Sequence, residues 1–171
     1  MRESLGHEAG VWFLENLAHL VPGYQGYRER DLRRAEDARL RAQVLERMAD
    51  IRAAIEAWSE TLPDGIDQDC AQAIERRAAR LDSLADAIRY APYAFSGFFD
   101  ATVVREETVE RVLELDLLLF EDLRKLDLLL DVAPRPPRAL ARIEPLLSEL
   151  DATIEAIEVH LIQRDKALGD C

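Results

Sequence analysis

The chain has 171 residues, with seven Gly, seven Pro and a formal net charge of −12. That length supplies one domain with a substantial core, and abundant Ala, Leu, Glu and Arg fit helices better than sheet. The acidic excess argues against nucleic acid as a partner, because such binding relies on Lys and Arg to neutralise phosphates, and it does not suit anionic lipid.

Residues 6–21 read as a short amphipathic helix in which Phe13, Leu17 and Leu20 recur at helical spacing, and Pro22-Gly23 ends it. Its polar residues, Glu15, Asn16 and His19, lack the basic face of a membrane-surface helix, so packing across one end of a bundle is expected rather than peripheral membrane contact. The turn through Tyr24 and Tyr27 then opens a helix of about 35 residues that stops before Pro63-Asp64-Gly65. In its second half Val44, Met48, Ile51, Ile55, Trp58 and Leu62 alternate steps of four and three, the seam of a helix in an antiparallel bundle. Traced backwards, the same seam meets Leu40, then Asp37, Arg33 and Arg30, with Arg34 and Arg41 at its margin.

A further helix is expected over residues 67–90, capped by Asp67, with Cys70, Ile74, Ala78, Leu81, Ala85 and Ile88 inward and Arg77 beside them. The connector after Tyr90 is too aromatic for a solvated loop. Residues 109–130 follow as a leucine-rich helix. Glu110, Arg111, Glu114, Glu121, Asp122, Arg124 and Lys125 share one side of its wheel. Val109, Val112, Leu119, Phe120, Leu123, Leu126 and Leu130 fill the other, widened by Leu113 and Leu115. Asp116 and Asp127 break the pattern, falling near the middle of the apolar side. The last helix carries Leu140, Ile143, Leu147, Leu150, Ile154, Ile157, Leu161 and Leu168, with Pro145 inside the pattern as either a kink or a second start. Short links favour antiparallel neighbours. The expectation is therefore all-α: one domain over residues 1–171, with a short helix (1–21) across one end of an up-down-up-down antiparallel four-helix bundle of long helices (24–168).

In that arrangement one end gathers Tyr24, Tyr27, Tyr90, Tyr93, Phe95, Phe98 and Phe99, and the first helix can add Trp12 and Phe13. These aromatic groups either seal the bundle end or line a groove for a partner or ligand. A lone buried carboxylate is costly, so Asp116 and Asp127 call for partners. A buried ionic network of Arg30, Arg33, Arg34, Asp37, Arg77, Asp116 and Asp127 supplies them, with Arg138 or Arg142 within reach of Asp127.

Carboxylates recur four apart at Glu46/Asp50, Asp82/Asp86, Glu110/Glu114 and Asp127/Asp131, but the Glu-x-x-His pairs of a di-iron bundle are absent, and no metal or other cofactor is expected. Nor is there a phosphate-binding loop or a nucleophile elbow, so an enzyme is not expected. Cys70 and Cys171 form neither a disulfide framework nor a zinc pattern. The first residues do not read as a signal peptide, and no stretch reaches the roughly 18 uninterrupted apolar residues of a membrane span. A cytoplasmic location follows as an expectation.

The segment PGYQGYRERDLRRAED (22–37) resembles one in a group of bacterial helical-bundle proteins, where a Pro-Gly-Tyr-x-Gly-Tyr turn enters an Arg-rich helix. The later YAPYAFSGFFD (90–100), leading into an acidic leucine-rich helix, is similar to a second landmark of that group. The resemblance implies a helical bundle and carries no activity with it. Where that group implies an acidic cap on the leucine-rich helix, this chain has Val104-Arg105, leaving Thr102 as the candidate cap. Together these features point to a non-enzymatic protein that works by protein–protein contact or self-association, through the aromatic end. A metal- or small-ligand-binding bundle built on its inward Asp residues is the alternative.

Overall fold

The computed structural model describes residues 2–61, 68–90, 96–134 and 140–169. These residues are almost entirely helical and contain no strand. In chain order the helices are α1 (Arg2–Leu20), α2 (Arg33–Glu60), α3 (Gln68–Tyr90), α4 (Ser96–Asp100), α5 (Glu106–Asp131) and α6 (Leu140–Gly169), with a single 3-10 turn, Arg30–Leu32, running into α2. Among the described residues no helix is long and apolar enough to cross a membrane. The cap expected at Asp67 lies outside the described residues.

Three boundaries differ from the sequence reading. The first helix begins several residues earlier. The long second helix starts at Arg33, because the preceding residues take the tighter 3-10 form. α5 starts at Glu106, with the Thr108 and Val109 amides donating to the Arg105 carbonyl, so exposed Thr102 is not its cap. α6 is one helix that continues through Pro145.

The chain forms two compact units, and α2, α5 and α6 each contribute to both. One unit comprises Leu45–Tyr90 and Glu121–Glu158. Its core is Met48, Ile51, Ile55 and Trp58 from α2, Ile74, Ala78 and Leu81 from α3, Leu123, Leu126 and Leu130 from α5, and Leu147, Leu150, Ile154 and Ile157 from α6. Each set recurs at three- and four-residue steps, so each helix turns one stripe inward. Ion pairs line the rim: Arg52–Asp82 at 3.2 Å, Lys125–Glu149 at 3.4 Å, Arg80–Glu158 at 2.9 Å, and Arg77–Asp151. The Trp58 indole N–H donates to the Pro134 carbonyl at 3.0 Å, tying the end of α2 to the segment after α5.

The other unit comprises Met1–Val44, Ala91–Phe120 and Val159–Cys171. It holds α1, the turn after it, the first part of α2, α4, the first part of α5 and the end of α6. The turn is fixed by two glycines in the left-handed region, Gly23 at φ +76° and Gly26 at φ +78°, which other residues adopt only with strain. Gly26 is doubly constrained, since a Cβ there would lie 2.8 Å from Leu14 Cδ1 on α1. At Gly23 the nearest atom to such a Cβ is the Arg39 guanidinium Nη1 at 3.2 Å, the far end of a flexible side chain. Gly26→Ala should therefore cost about 2–3 kcal/mol of stability and Gly23→Ala about 1 kcal/mol, read from urea unfolding midpoints.

Candidate functional site

The buried polar groups of the second unit arise from one local feature. Arg33, Glu36 and Asp37 lie at i, i+3 and i+4 on α2, so all three face inward. Two of them hold the glycine turn. The Arg33 guanidinium donates to three carbonyls, those of Tyr27 at 2.8 Å, Phe98 at 3.0 Å and Ala101 at 2.9 Å. The Glu36 carboxylate accepts the Gln25 amide at 2.8 Å and pairs with Arg39, which also donates to the Gly23 carbonyl. Irregular backbone inside a fold needs such partners.

The third residue, Asp37, belongs to a network centred on Arg164 of α6. Arg164 Nε donates to Asp116 Oδ1 at 2.5 Å, and its Nη2 donates to Asp37 Oδ1 at 2.6 Å and to the Tyr27 hydroxyl oxygen at 3.0 Å. The Tyr27 hydroxyl in turn donates to Asp116 Oδ2 at 2.8 Å, and Arg41 Nε donates to Asp37 Oδ2 at 2.8 Å. Asp37, Asp116, Tyr27 and Arg164 are all essentially without solvent contact. Two carboxylates thus meet two guanidiniums, each carboxylate accepting two hydrogen bonds.

Burial dominates the electrostatics. It raises the Asp116 carboxyl, and Arg164 and Tyr27 offset only part of that rise. Burial also works against the Arg164 charge, but Asp116, Tyr27 and Asp37 outweigh it and hold the guanidinium well above its ordinary value. Burial followed by the Asp116 charge holds the Tyr27 phenol well above its usual range, and burial followed by Tyr27 and Asp116 does the same for Tyr24. The Tyr24 hydroxyl lies beside that of Tyr27, close enough to interact with it but outside good hydrogen-bond geometry.

Of the aromatic set, Tyr24, Tyr27, Phe98 and Phe99 form a chain of edge-to-face contacts with ring centroids 5.8, 5.4 and 5.4 Å apart. All four are buried, with Arg33 over Phe98 and Arg34 over Phe99. They seal a small core and offer no open face. Tyr90 is 75% exposed and belongs to the other unit, while Tyr93 and Phe95 lie outside the described residues. Trp12 is 53% exposed and stacks edge-to-face on half-buried Phe13.

The ionic set also needs correction. Arg30 and Arg34 are exposed, and Arg34 pairs with Asp100 at 2.8 Å. Arg77 bonds the Ala73 carbonyl and Asp151 in the other unit. Asp127 is only half-buried. Arg33 is buried but serves backbone carbonyls. Asp37 and Asp116 are the members that the network joins, through three residues the sequence reading left out of it: Arg164, Arg41 and Tyr27. One signal for Arg164 was available, since it interrupts the apolar seam of α6 between Leu161 and Leu168 just as Asp116 interrupts that of α5.

Beside the network, the turn and the start of α5 enclose a cavity of about 270 Å³ lined on one side by α1. Among the described residues no group of three or more His, Cys, Asp or Glu is placed to hold a metal ion. No family model, curated protein or solved structure matches the chain.

Replacing Arg164 by Met would leave two buried carboxylates facing each other without their shared cation. Urea unfolding of Arg164→Met should show a loss of about 3–5 kcal/mol, against less than about 1 kcal/mol for Arg111→Met at its exposed pair with Glu114. The tyrosines give a pH dependence. Their folded pKa values are raised, so above about pH 10 the unfolded chain loses phenol protons that the folded chain retains. Stability present below that pH should fall as pH rises, by up to about 1.4 kcal/mol per unit for each of Tyr24 and Tyr27. Their phenolate absorbance should appear only with unfolding, and Tyr27→Phe should reduce the alkaline slope.

Proposed function

We propose that this chain is a non-enzymatic, cytoplasmic helical protein that acts by protein–protein contact, with its long helices arranged as an up-down-up-down four-helix bundle. The observation that carries the reading is the outer surface of α1, where Trp12, Val11 and Leu20 are exposed. A half-exposed Trp is the side chain most able to anchor an interface, since it combines large apolar area with few rotamers to order. The contact surface is thus α1 itself, in place of the sealed aromatic core beneath it. The net charge of −12 favours a partner with a basic surface.

Support for the bundle comes from the register of α3 against α6. Arg77 pairs with Asp151 and Arg80 with Glu158, so the contacts advance in the same direction along both helices. Alternate helices of an up-down-up-down chain run that way, so the pairing supports the alternation of direction, while contact at the rim makes these two parallel helices neighbours. The non-enzymatic reading rests on the use of the buried titratable groups: both Asp116 oxygens and both Asp37 oxygens accept from neighbours that hold the fold together. The same engagement disfavours a metal site on those residues. The two segments similar to bacterial helical-bundle proteins, 22–37 and 90–100, agree with this reading and bring no activity of their own.

Trp12→Ser should leave the melting temperature within about 2 °C, because the side chain is largely in water, while reducing retention of a basic protein partner in paired pull-downs by about tenfold. Equal retention by both proteins would overturn the assignment to α1. Sedimentation of the two proteins over a concentration range distinguishes self-association from a separate partner.

A further inference from the structure

We propose that the cavity beside the glycine turn binds a small zwitterion, an α-amino acid with an aliphatic side chain. The cavity measures about 270 Å³. That is near the lower end of ordinary ligand pockets, ~300–1,000 Å³, so it suits a metabolite of amino-acid size and is too small for a nucleotide. Two elements supply charges of opposite sign. Arg28 and Arg33 come from the turn and the start of α2, and Glu106 and Glu110 from the first two turns of α5. Leu14, Val104, Val109 and Leu113 make the remaining walls apolar.

The helix geometry of α5 produces this mixture. Residues 106, 109, 110 and 113 fall at i, i+3, i+4 and i+7, so one stripe presents two carboxylates and two apolar groups together. The space between α1 and that stripe depends on Gly10, where an added Cβ would meet Glu110 Cγ at 3.1 Å and Oε1 at 3.2 Å. The Glu110 carboxylate therefore lies against bare α1 backbone at the cavity wall.

The charge pattern selects the ligand. A simple amine would meet the carboxylates but also two guanidiniums, and a simple carboxylate would meet the reverse conflict. An amino acid answers both signs at once, its ammonium toward Glu110 and its carboxylate toward Arg28, with the aliphatic group against Leu14 and Leu113. Arg33 keeps its hydrogen bonds to the Tyr27, Phe98 and Ala101 carbonyls and contributes charge alone. Arg28 and Glu106 are 3.6 Å apart with side chains 55% and 60% exposed. At this open edge of the cavity a ligand carboxylate reaches Arg28 in competition with Glu106, and the planar guanidinium can meet it with two parallel hydrogen bonds.

Calorimetric titration of the full chain with L-valine and L-leucine should show saturable binding at one site per chain. Isocaproate, which lacks the ammonium, and isoamylamine, which lacks the carboxylate, should bind at least about tenfold more weakly than leucine. Glu110→Gln and Arg28→Gln should each weaken leucine binding by about tenfold or more. Arg28 is exposed and its replacement leaves the core intact, so that variant keeps the test decisive should Glu110→Gln lower the melting temperature. Absence of saturable binding by both amino acids would overturn the proposal. So would equal binding of leucine and either single-charge analogue, or unchanged leucine affinity in Arg28→Gln.

Discussion

The shared guanidinium of Arg164 is the constraint on which its unit of the protein depends. Burying Asp37 and Asp116 separately would be prohibitive, because removing each carboxylate from water costs several kcal/mol. Arg164 offsets both at once. Its Nε and Nη2 face Asp116, Asp37 and Tyr27 in a rigid plane, and Arg41 supplies the second positive charge. A lysine could match the charge but not this fork, since an ammonium is a point donor with no fixed plane. The network therefore sets rotation as well as proximity: α2, α5 and α6 must each present one particular residue to one planar group. Apolar seams alone tolerate slippage that this arrangement does not.

A second use of buried charge lies one turn away. Arg33 and Glu36 act on backbone: Arg33 binds the Tyr27 carbonyl of the glycine turn and two carbonyls in and after α4, and Glu36 binds the Gln25 amide. The polar interior is thus divided between a network that aligns helices and a pair of side chains that hold irregular chain in place. The accessible charge and apolar surface lie outside these two sets, on the face of α1 and in the cavity under it.

Much of this was legible from periodicity. The α5 stripe, the inward position of Asp116 and the charged start of α2 all follow from 3.6-residue repetition. The errors have physical sources. Arg30 was placed on the inner stripe by continuing an α-helical phase through residues that take the 3-10 form, whose three residues per turn shift the phase. Arg77 joins the expected network because a wheel gives angle and not height along the axis; it meets Asp151 instead. Asp127 shares the stripe of Asp116, but cover narrows towards that end of α5. Around Asp116 nearly every residue from Val112 to Phe120 is buried, whereas beside Asp127 Leu128 is 55% exposed. Arg164 interrupts the apolar seam of α6 in the same way as Asp116 interrupts that of α5, so its inward position was legible in the same periodicity. The cavity had no signature, since it arises where three elements meet.

The order in which the chain can acquire its structure follows from the spacing of the network along the sequence. Individual helices form from local contacts within about a microsecond. The bonds of Arg164 to Asp37 and to Tyr27, however, span 127 and 137 residues, and that of Tyr27 to Asp116 spans 89. Until those distant segments meet, only the local Arg41–Asp37 pair within α2 can form, and burying either carboxylate is not yet favoured. Loop closure over such separations must come before the reward. The unit therefore folds more slowly than its helix content alone would suggest, and during synthesis its network cannot close before Arg164 has been added.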